Sequence, residues 1–581
     1  MNAETVSLHE LVDQQADREP DAPAVVVDGE ELTYAKLVDD SRRLAADLRD
    51  LGVAEEHVVA LDLPVGPRLV SAMLAAGRLG AAFLPLDQRD PRARRDYLLA
   101  DAKPAAVVTA HDVLVPETAP EKLSDRLPRV TSPAAYLSYT SGSTGEPKGV
   151  VTEQHAIVNY IRAAIAEYRL TPADRQLQFA SIAFDIAMDE VFSTLVAGAT
   201  LALRGKDFVY EDAQDFLRLL DERGVTVANL PTGIWNQFGL ALRQTPQVSL
   251  PAALRVMVVG GEAASADAAA AWHAASVADG FRVVNAYGPT EAAVSVSFAE
   301  LTADGPVTIG RGIANVGLTP VGEDLLPVPA GEIGELLVTG VAPARGYLDR
   351  PEHTAARFGE NAEGRYYRTG DLGRVRPDGL IEFHGRADEQ VKVRGGFRVE
   401  PGEVVRVLLT HPGVADAVVL PVDQGAGRVL AAFVVAAADG GPQDTELREH
   451  LGSRLPDYMV PSSFTRVETV PLTPRGKVDA AALTALLADL TSQPTATPGT
   501  PEAVENAVRE AWTLAVGAEP EDDDADFFDE GADSIAAVEF LSQLRVRLGF
   551  APALRALYAS PRFGDVVELL AQGDGVAPSD R

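Results

Sequence analysis

The chain reads as an α/β protein built in three parts. A large N-terminal core carries α/β layers and a small β subdomain, a small α+β C-terminal subdomain follows, and an all-α helical bundle closes the chain. Three observations predict this. Short β-rich runs alternate with helical patterns from about residue 20 to 300. Gly/Pro turns then separate short strands from about 305 to 385. Past a Thr/Ser/Pro stretch, only 3.6-period apolar patterns remain. At 581 residues the chain is too long for one hydrophobic core.

Element by element, Ser7-Leu8-His9-Glu10 has the form of a capping box opening an amphipathic helix through Leu8, Leu11 and Val12. Residues 25–27, 58–63, 105–109, 200–203, 225–229, 256–259 and 283–286 read as strands. Their near-continuous apolar character predicts strands covered on both faces, hence largely parallel sheets. Residues 335–339 read as a strand of the β subdomain, and Gly395-Gly396 interrupts the chain. Residues 491–499 have little to bury and read as a flexible linker. Beyond it, Pro501 starts a helix with Val504, Val508, Ala511 and Leu514 on one face. A second helix over 534–548 presents Ile535, Val538, Leu541, Leu544 and Leu548, with Gly549 ending it, and a third covers 563–570. The expected boundaries are 1–387 for the core, 388–490 for the small subdomain, 491–500 for the linker, 501–573 for the bundle and 574–581 for a disordered tail. There are no internal repeats.

Composition narrows the function. A net charge of -34 argues against general nucleic-acid binding, which needs a basic face. Part of that charge is local, in Glu519, Glu521, Asp522, Asp523, Asp524, Asp526, Asp529 and Glu530, a run that reads as a solvated face. Without cysteine there is no disulfide framework, thiolate metal site or cysteine nucleophile, which fits a reducing cytoplasm. The acidic amino terminus does not resemble a signal peptide, and no apolar run is long enough for a bilayer. A soluble, cytoplasmic protein is expected.

The most informative stretch is Tyr139-Thr140-Ser141-Gly142-Ser143-Thr144-Gly145-Glu146-Pro147-Lys148-Gly149, which follows an apolar strand-like run over 134–137. Glycines let backbone N–H groups turn inward, hydroxyls add donors and Lys148 adds charge: a cradle for phosphate oxygens. It lacks the Gly-Lys-Ser/Thr ending of the commoner nucleotide loop. Further along come Leu32-Thr33-Tyr34, Phe83-Leu84-Pro85-Leu86-Asp87, Asn285-Ala286-Tyr287-Gly288-Pro289-Thr290-Glu291, Tyr367-Arg368-Thr369-Gly370-Asp371-Leu372, Gly385-Arg386-Ala387-Asp388 and Pro474-Arg475-Gly476-Lys477-Val478-Asp479. In this order, these segments resemble the adenylate-forming superfamily of acyl-CoA ligases, luciferases and peptide-synthetase adenylation domains.

The resemblance implies ATP and Mg2+. ATP would be held by Thr140, Ser141, Gly142, Ser143, Thr144, Gly145, Lys148, Asn285 and Gly288, with Tyr287 stacked on adenine and Asp371 and Arg386 at the ribose. Thr290 would stand near the α-phosphate and Glu291 would hold the metal, a carboxylate suiting a hard cation. Lys477 would bridge substrate carboxylate and α-phosphate, cancelling the repulsion of two anions as they join. Asp388 would be the hinge about which the small subdomain rotates between half-reactions.

The tail Asp526-Phe527-Phe528-Asp529-Glu530-Gly531-Ala532-Asp533-Ser534-Ile535 resembles the attachment segment of peptidyl carrier proteins, with Ser534 taking 4′-phosphopantetheine. The usual Gly-Gly-Asp-Ser is here Gly-Ala-Asp-Ser. A helix N-terminus tolerates the phosphodiester anion. The implied activity is that of a nonribosomal peptide synthetase adenylation domain fused to its carrier: an amino acid is activated as aminoacyl-AMP and loaded on the carrier as a thioester.

Phe184-Asp185-Ile186-Ala187-Met188-Asp189 follows the amino-acid-activating pattern, in which Asp185 would meet the substrate ammonium group. The other specificity positions carried over by resemblance are Ile186, Asp189, Asn229, Val258, Gly260, Ala286, Val294 and Ser295. Gly260 and Ala286 leave room, and Asp189 asks for a cation or donor, so the pocket resembles those taking ornithine- or lysine-like side chains. A small hydroxylated residue (Thr or Ser) is the next alternative, and pairing of Asp189 within the protein is another. An aryl or acyl CoA-type ligase is the runner-up among enzymes, and a non-catalytic docking module is a third class. Expected partners are a phosphopantetheinyl transferase, a downstream condensation domain or tailoring enzyme and, in some relatives, an MbtH-like helper. The chain itself reads as a free-standing loading didomain.

Overall fold

The computed structural model describes residues 6–571 except 117–119, 142–145, 206–207, 209, 211, 246, 278–279, 388–390, 394–396, 425–426, 438–440, 468, 472–477, 493–500, 517–518, 521, 529–536, 538–539, 542, 545–546, 549–551, 553–556 and 558–559. Lys477, Asp388, Ser534 and Gly142 to Gly145 therefore lie outside the described residues.

Alternating apolar strands and amphipathic helices build two large α/β sheets. One has nine strands, in the order Arg311–Gly312, Ser297–Leu301, Arg282–Tyr287, Val256–Gly260, Val227–Pro231, Arg175–Gln178, Thr200–Leu203, Pro23–Val27 and Glu30–Thr33. From Arg282–Tyr287 to Pro23–Val27 the neighbours are parallel, and the strands outside them are antiparallel. The second has seven, in the order Gly346–Tyr347, Lys148–Glu153, Ala134–Thr140, Ala82–Pro85, Val58–Asp62, Ala106–Thr109 and Val113–Leu114. The region expected to be mostly β forms a five-stranded antiparallel sheet from Val316–Val321, Gly334–Gly340, Phe358–Asn361, Gly364–Val375 and Ile381–Arg386.

The Ser7 capping box is present, with the Ser7 amide and hydroxyl both donating to Glu10 (2.7 and 2.9 Å), and the helix it opens spans Leu8–Arg18. Thr33 caps the helix Tyr34–Asp50, and the Tyr34 hydroxyl donates to the carbonyls of Leu195 and Ala199. The Leu32-Thr33-Tyr34 motif is thus a structural strut.

A buried ionic knot fastens the seven-stranded sheet. Arg345, 1% exposed, donates to Glu56 (2.7 and 3.0 Å) and Glu153 (2.8 Å). Glu153 also accepts the amides of Val130, Thr131 and Ser132, and Glu56 that of Ala134. Saturation of the carboxylates by amides and guanidinium is what lets charges sit inside a protein.

Two compact units emerge. The first comprises Met1–His411, Val418–Ala432 and His450–Ser463, and the second Pro412–Ala417, Phe433–Glu449 and Phe464–Arg581. Within the first, Arg94 pairs with buried Glu403 (3.2 Å), and Phe397 packs between Phe184 (5.0 Å) and Tyr458 (4.3 Å). Within the second, the helices Pro501–Val516 and Phe563–Ala571 are described, and Trp512 packs edge-on against Phe527, Phe540 and Phe563 in a small core with Val508, Leu541 and Leu544. No helix among the described residues is long and apolar enough to cross a membrane.

Candidate functional site

The loop singled out in the sequence joins an antiparallel hairpin, with Thr140 opposite Lys148. Both residues are buried, and the Thr140 hydroxyl has no hydrogen-bond partner among the described residues. A buried hydroxyl left without a partner is costly unless a ligand supplies one. The Ser141 hydroxyl donates to the Arg398 carbonyl (3.1 Å). Lys148 Nζ lies 5.0 Å from the Tyr347 ring centroid. Burial lowers the affinity of this amine for its proton, and nearby Glu291 offsets part of the effect.

Glu291 sits in a short 3-10 turn, Thr290–Ala292, and is fully buried. One carboxylate oxygen accepts the Tyr347 hydroxyl (2.7 Å) and the other accepts Arg398 Nη1 (2.9 Å). Burial pushes its carboxyl up, but Arg398, the Tyr347 hydroxyl and Lys148 outweigh that and hold it below the usual range. Among the described residues no group of three or more acidic or histidine side chains could hold a metal. A single oxygen-donor carboxylate fits Mg2+ of the kind that keeps several waters and takes its remaining ligands from substrate phosphates. Glu291 could supply one such oxygen.

On the other side of this cluster, Asp371 is buried, and its two oxygens accept the Tyr287 hydroxyl (2.6 Å) and Arg386 Nη1 (2.6 Å). Asp371 and Arg386 are direct cross-strand partners. The Asn285 amide donates to the Thr308 carbonyl (2.7 Å), so its nitrogen is engaged within the protein. Gly288 is where the chain crosses itself: a Cβ there would lie 2.4 Å from Ser295 Cα.

The specificity positions gather at the helix Ile186–Ala197 and the carboxyl ends of three parallel strands. Asn229 is in register with Val258, and Gly260 with Ala286, so these four share one face of the sheet. Val258, Ala286 and Val294 belong to one buried cluster, with Ile186 packed against it. Ser295 is buried, and Val294 (φ 73°) holds a left-handed backbone. Asp185 occupies the N-cap position of that helix without a capping hydrogen bond from its side chain, and burial pushes its carboxyl up to about 6. The Thr290 hydroxyl lies close enough to offset part of that rise, and one Asp185 oxygen has no partner among the described residues.

Asp189, one turn on, is fully buried. One oxygen accepts the Tyr168 hydroxyl (3.1 Å) and the Asn229 amide (3.2 Å), and the other has no partner among the described residues. Burial pushes its carboxyl up to about 7, and the neighbouring hydroxyls and the Asn229 amide offset only part of this. The alternative of pairing within the protein is thus half realised.

Several functional neighbours were missed in the sequence. Arg398, Tyr347 and Tyr168 lie far in sequence from the carboxylates they touch.

Buried carboxylates, an amine and guanidinium groups thus gather around Glu291 and Asp371, and comparison with known proteins gives the chain its family. The family described as AMP-binding enzyme matches residues 12–348, its C-terminal domain 403–477, and the phosphopantetheine attachment site family 506–570. The chain belongs to the adenylate-forming AMP-binding enzymes, in the nonribosomal peptide synthetase arrangement of adenylation domain followed by carrier domain. It is 41% identical to novobiocin biosynthesis protein H of Streptomyces niveus, over 83% of this chain and 82% of that protein. It is 35% identical to a linear gramicidin synthase of Brevibacillus parabrevis over 97% of this chain, yet spans only 7% of that much longer relative. In fold it resembles holo-PA1221, a nonribosomal peptide synthetase protein containing adenylation and PCP domains (TM-score 0.75, 24% identity, 98% of this chain and 97% of that one).

Proposed function

We propose that this chain uses ATP to activate an amino acid as aminoacyl-AMP and passes it to its own carrier domain, in the making of a nonribosomal peptide or related natural product. The observation that carries this reading is the adjacency of the two halves of the site. Asp185, a buried carboxylate with an open oxygen, stands beside Thr290, next to Glu291 in the chain. An ammonium group held at Asp185 would present its α-carboxylate to a nucleotide cradled by the 141–147 loop, Tyr287, Asp371 and Arg386. Mg2+ on Glu291 supplies electrostatic relief to the phosphates when bound. Lys477 bridges substrate carboxylate and α-phosphate, so Lys477→Ala lowers adenylate formation by ~10² to 10³ while ATP still binds.

The domain limits follow the sequence reading: core to 387, small subdomain to 490 turning about Asp388, linker to 500, then an all-helical carrier to 573 modified on Ser534. The phosphopantetheine arm supplies the thiol that accepts the acyl group. A phosphopantetheinyl transferase installs it, and a condensation domain or tailoring enzyme takes the cargo.

The substrate is basic, ornithine- or lysine-like. Asp189 has one oxygen fixed by Tyr168 and Asn229 and the other unmet. A substrate cation would meet it and favour its ionised form. Gly260 has backbone close by, its would-be Cβ 2.8 Å from the Ala286 carbonyl, so a side chain at this position is not accommodated. Amino-acid-dependent pyrophosphate exchange across ornithine, lysine, threonine, serine, leucine, phenylalanine and an aryl acid tests this. Activity should peak on the basic residues, with KM falling as pH rises from 6 to 8. A peak on leucine or phenylalanine overturns the pocket assignment, and a peak on the aryl acid overturns the amino-acid reading.

A further inference from the structure

The helix Arg92–Ala102 runs beside the nucleotide loop, and two of its side chains hold the loop's two ends. Tyr97 and Asp101 stand four residues apart, hence on one face of that helix. Asp101 accepts the hydroxyl of Tyr139 (2.7 Å) just before the loop, and the Tyr97 hydroxyl donates to the Pro147 carbonyl (3.3 Å) just after it. Arg350 joins the two, its Nη2 lying 3.4 Å from both the Tyr97 hydroxyl and Asp101 and 3.6 Å from Glu146. Arg126 ties down the end of the same helix through the carbonyls of Asp101 (2.6 Å) and Ala102 (2.9 Å), and its Nη2 also meets Asp349 (2.6 Å). The Tyr139 hydroxyl stays protonated, since burial and the Asp101 charge both push its ionisation up.

This clasp lies behind the residues expected to meet the nucleotide. Tyr139 is paired with Gly149 and Thr140 with Lys148, so the first pair faces one side of the strand pair and the second the other. The Tyr139 ring covers Gly149, where a Cβ would come within 3.1 Å of it. A ring seated there, with its hydroxyl on Asp101, fixes the plane from which Thr140 and Lys148 project. The buried Thr140 hydroxyl, without a partner among the described residues, and the buried Lys148 amine are then held in place before any ligand arrives. Donors fixed in advance meet an anion with little cost of reorganisation. Thr290 is expected at the α-phosphate, which leaves the loop the two outer ones. We propose that Asp101 and Tyr97 are positioning residues for the outer phosphates of ATP, acting through Tyr139 and the Pro147 carbonyl. The proposal rests on the assignment of the 140–148 loop to those phosphates.

Binding of α,β-methylene-ATP and of AMP to the full chain, measured by isothermal titration calorimetry, tests this. Tyr139→Phe keeps the ring and removes the hydroxyl. It should bind the triphosphate analogue about five- to twentyfold more weakly, within what a hydrogen bond to a charged acceptor contributes. AMP lacks the outer phosphates and should bind that variant as it binds wild type, which also shows the variant to be folded. Asp101→Asn keeps an acceptor without the charge and should fall between the two. In pyrophosphate exchange, KM for ATP should rise in both variants while KM for the amino acid stays. Equal losses for analogue and AMP, or no loss for either, overturn the proposal. Lys148→Ala that binds the analogue like wild type overturns the loop assignment beneath it. A weakened Lys148→Ala beside an unchanged Tyr139→Phe overturns the clasp alone. A last measurement needs no variant. Coupling is reciprocal, so in wild type the analogue should slow amide exchange over 96–102 and AMP should not. Exchange there that ignores the analogue overturns the proposal.

Discussion

A buried carboxylate records its surroundings in its affinity for a proton, and Asp189 does so most usefully. Its carboxyl is pushed up to about 7 because burial disfavours the charge and its contacts are neutral hydroxyls and an amide. A folded-state value above the unfolded one means the protonated form fits the fold. The contribution is therefore full below about pH 4 and lost as pH rises through 7. Asp189→Asn should accordingly be more stable than wild type at pH 8, by roughly 2–4 kcal/mol at most, and no more stable near pH 4. Thermal melts at both pH values check this, and a difference that does not grow with pH would remove the strain from Asp189. The candidate role of Asp189 was legible in the sequence, since the Phe184-to-Asp189 segment announces it. Its partners were not: Tyr168 reaches it from another helix, and an aromatic at helical spacing reads as ordinary core. Glu291 was equally visible, while Arg398 was not, because a lone arginine after two glycines carries no distinguishing pattern.

Among the elements, the strands that the sequence betrayed were those rich in Val, Ile and Ala, such as Val58–Asp62 and Val256–Gly260. Arg175–Gln178 was missed, although it lies inside the nine-stranded sheet with Gln176 and Gln178 buried. Its glutamines are bound to Ser193, Ala180 and Glu190, and apolar patterning cannot reveal a strand whose buried side chains are polar. The ionic knot at Arg345 was invisible for a related reason, since its members lie at 56, 153 and 345. Arg345→Met should destabilise the core by about 3–5 kcal/mol, because it removes the guanidinium that two buried carboxylates share and leaves only Arg129 beside Glu56 (3.3 Å). Urea unfolding followed by tryptophan fluorescence would measure it, and a loss under about 1 kcal/mol would show the knot to be dispensable.

At the scale of the whole chain, the ordering of the three family matches follows the order read from sequence motifs. The long α/β core was legible because its motifs and its periodicity agree. The carrier reading depended on the Asp533-Ser534 segment and on apolar spacing. If activation and loading are separable, Ser534→Ala should retain wild-type pyrophosphate exchange yet gain neither a phosphopantetheine arm nor amino acid by intact-mass measurement. A variant that still gains loaded mass would place the attachment elsewhere.

The Arg94–Glu403 pair and the Phe184–Phe397–Tyr458 cluster also bear on recombination between relatives. A chimaera joined near residue 390 would inherit one half of each contact from each parent. If the donor lacks a carboxylate at 403, the recipient's buried Arg94 loses its nearer anion and keeps only Asp90 at 3.9 Å, and if it lacks an aromatic at 397, Phe184 loses its ring partner there. Crossover libraries that carry 94, 184, 397, 403 and 458 as one linked block should yield more folded protein than those cut by position alone.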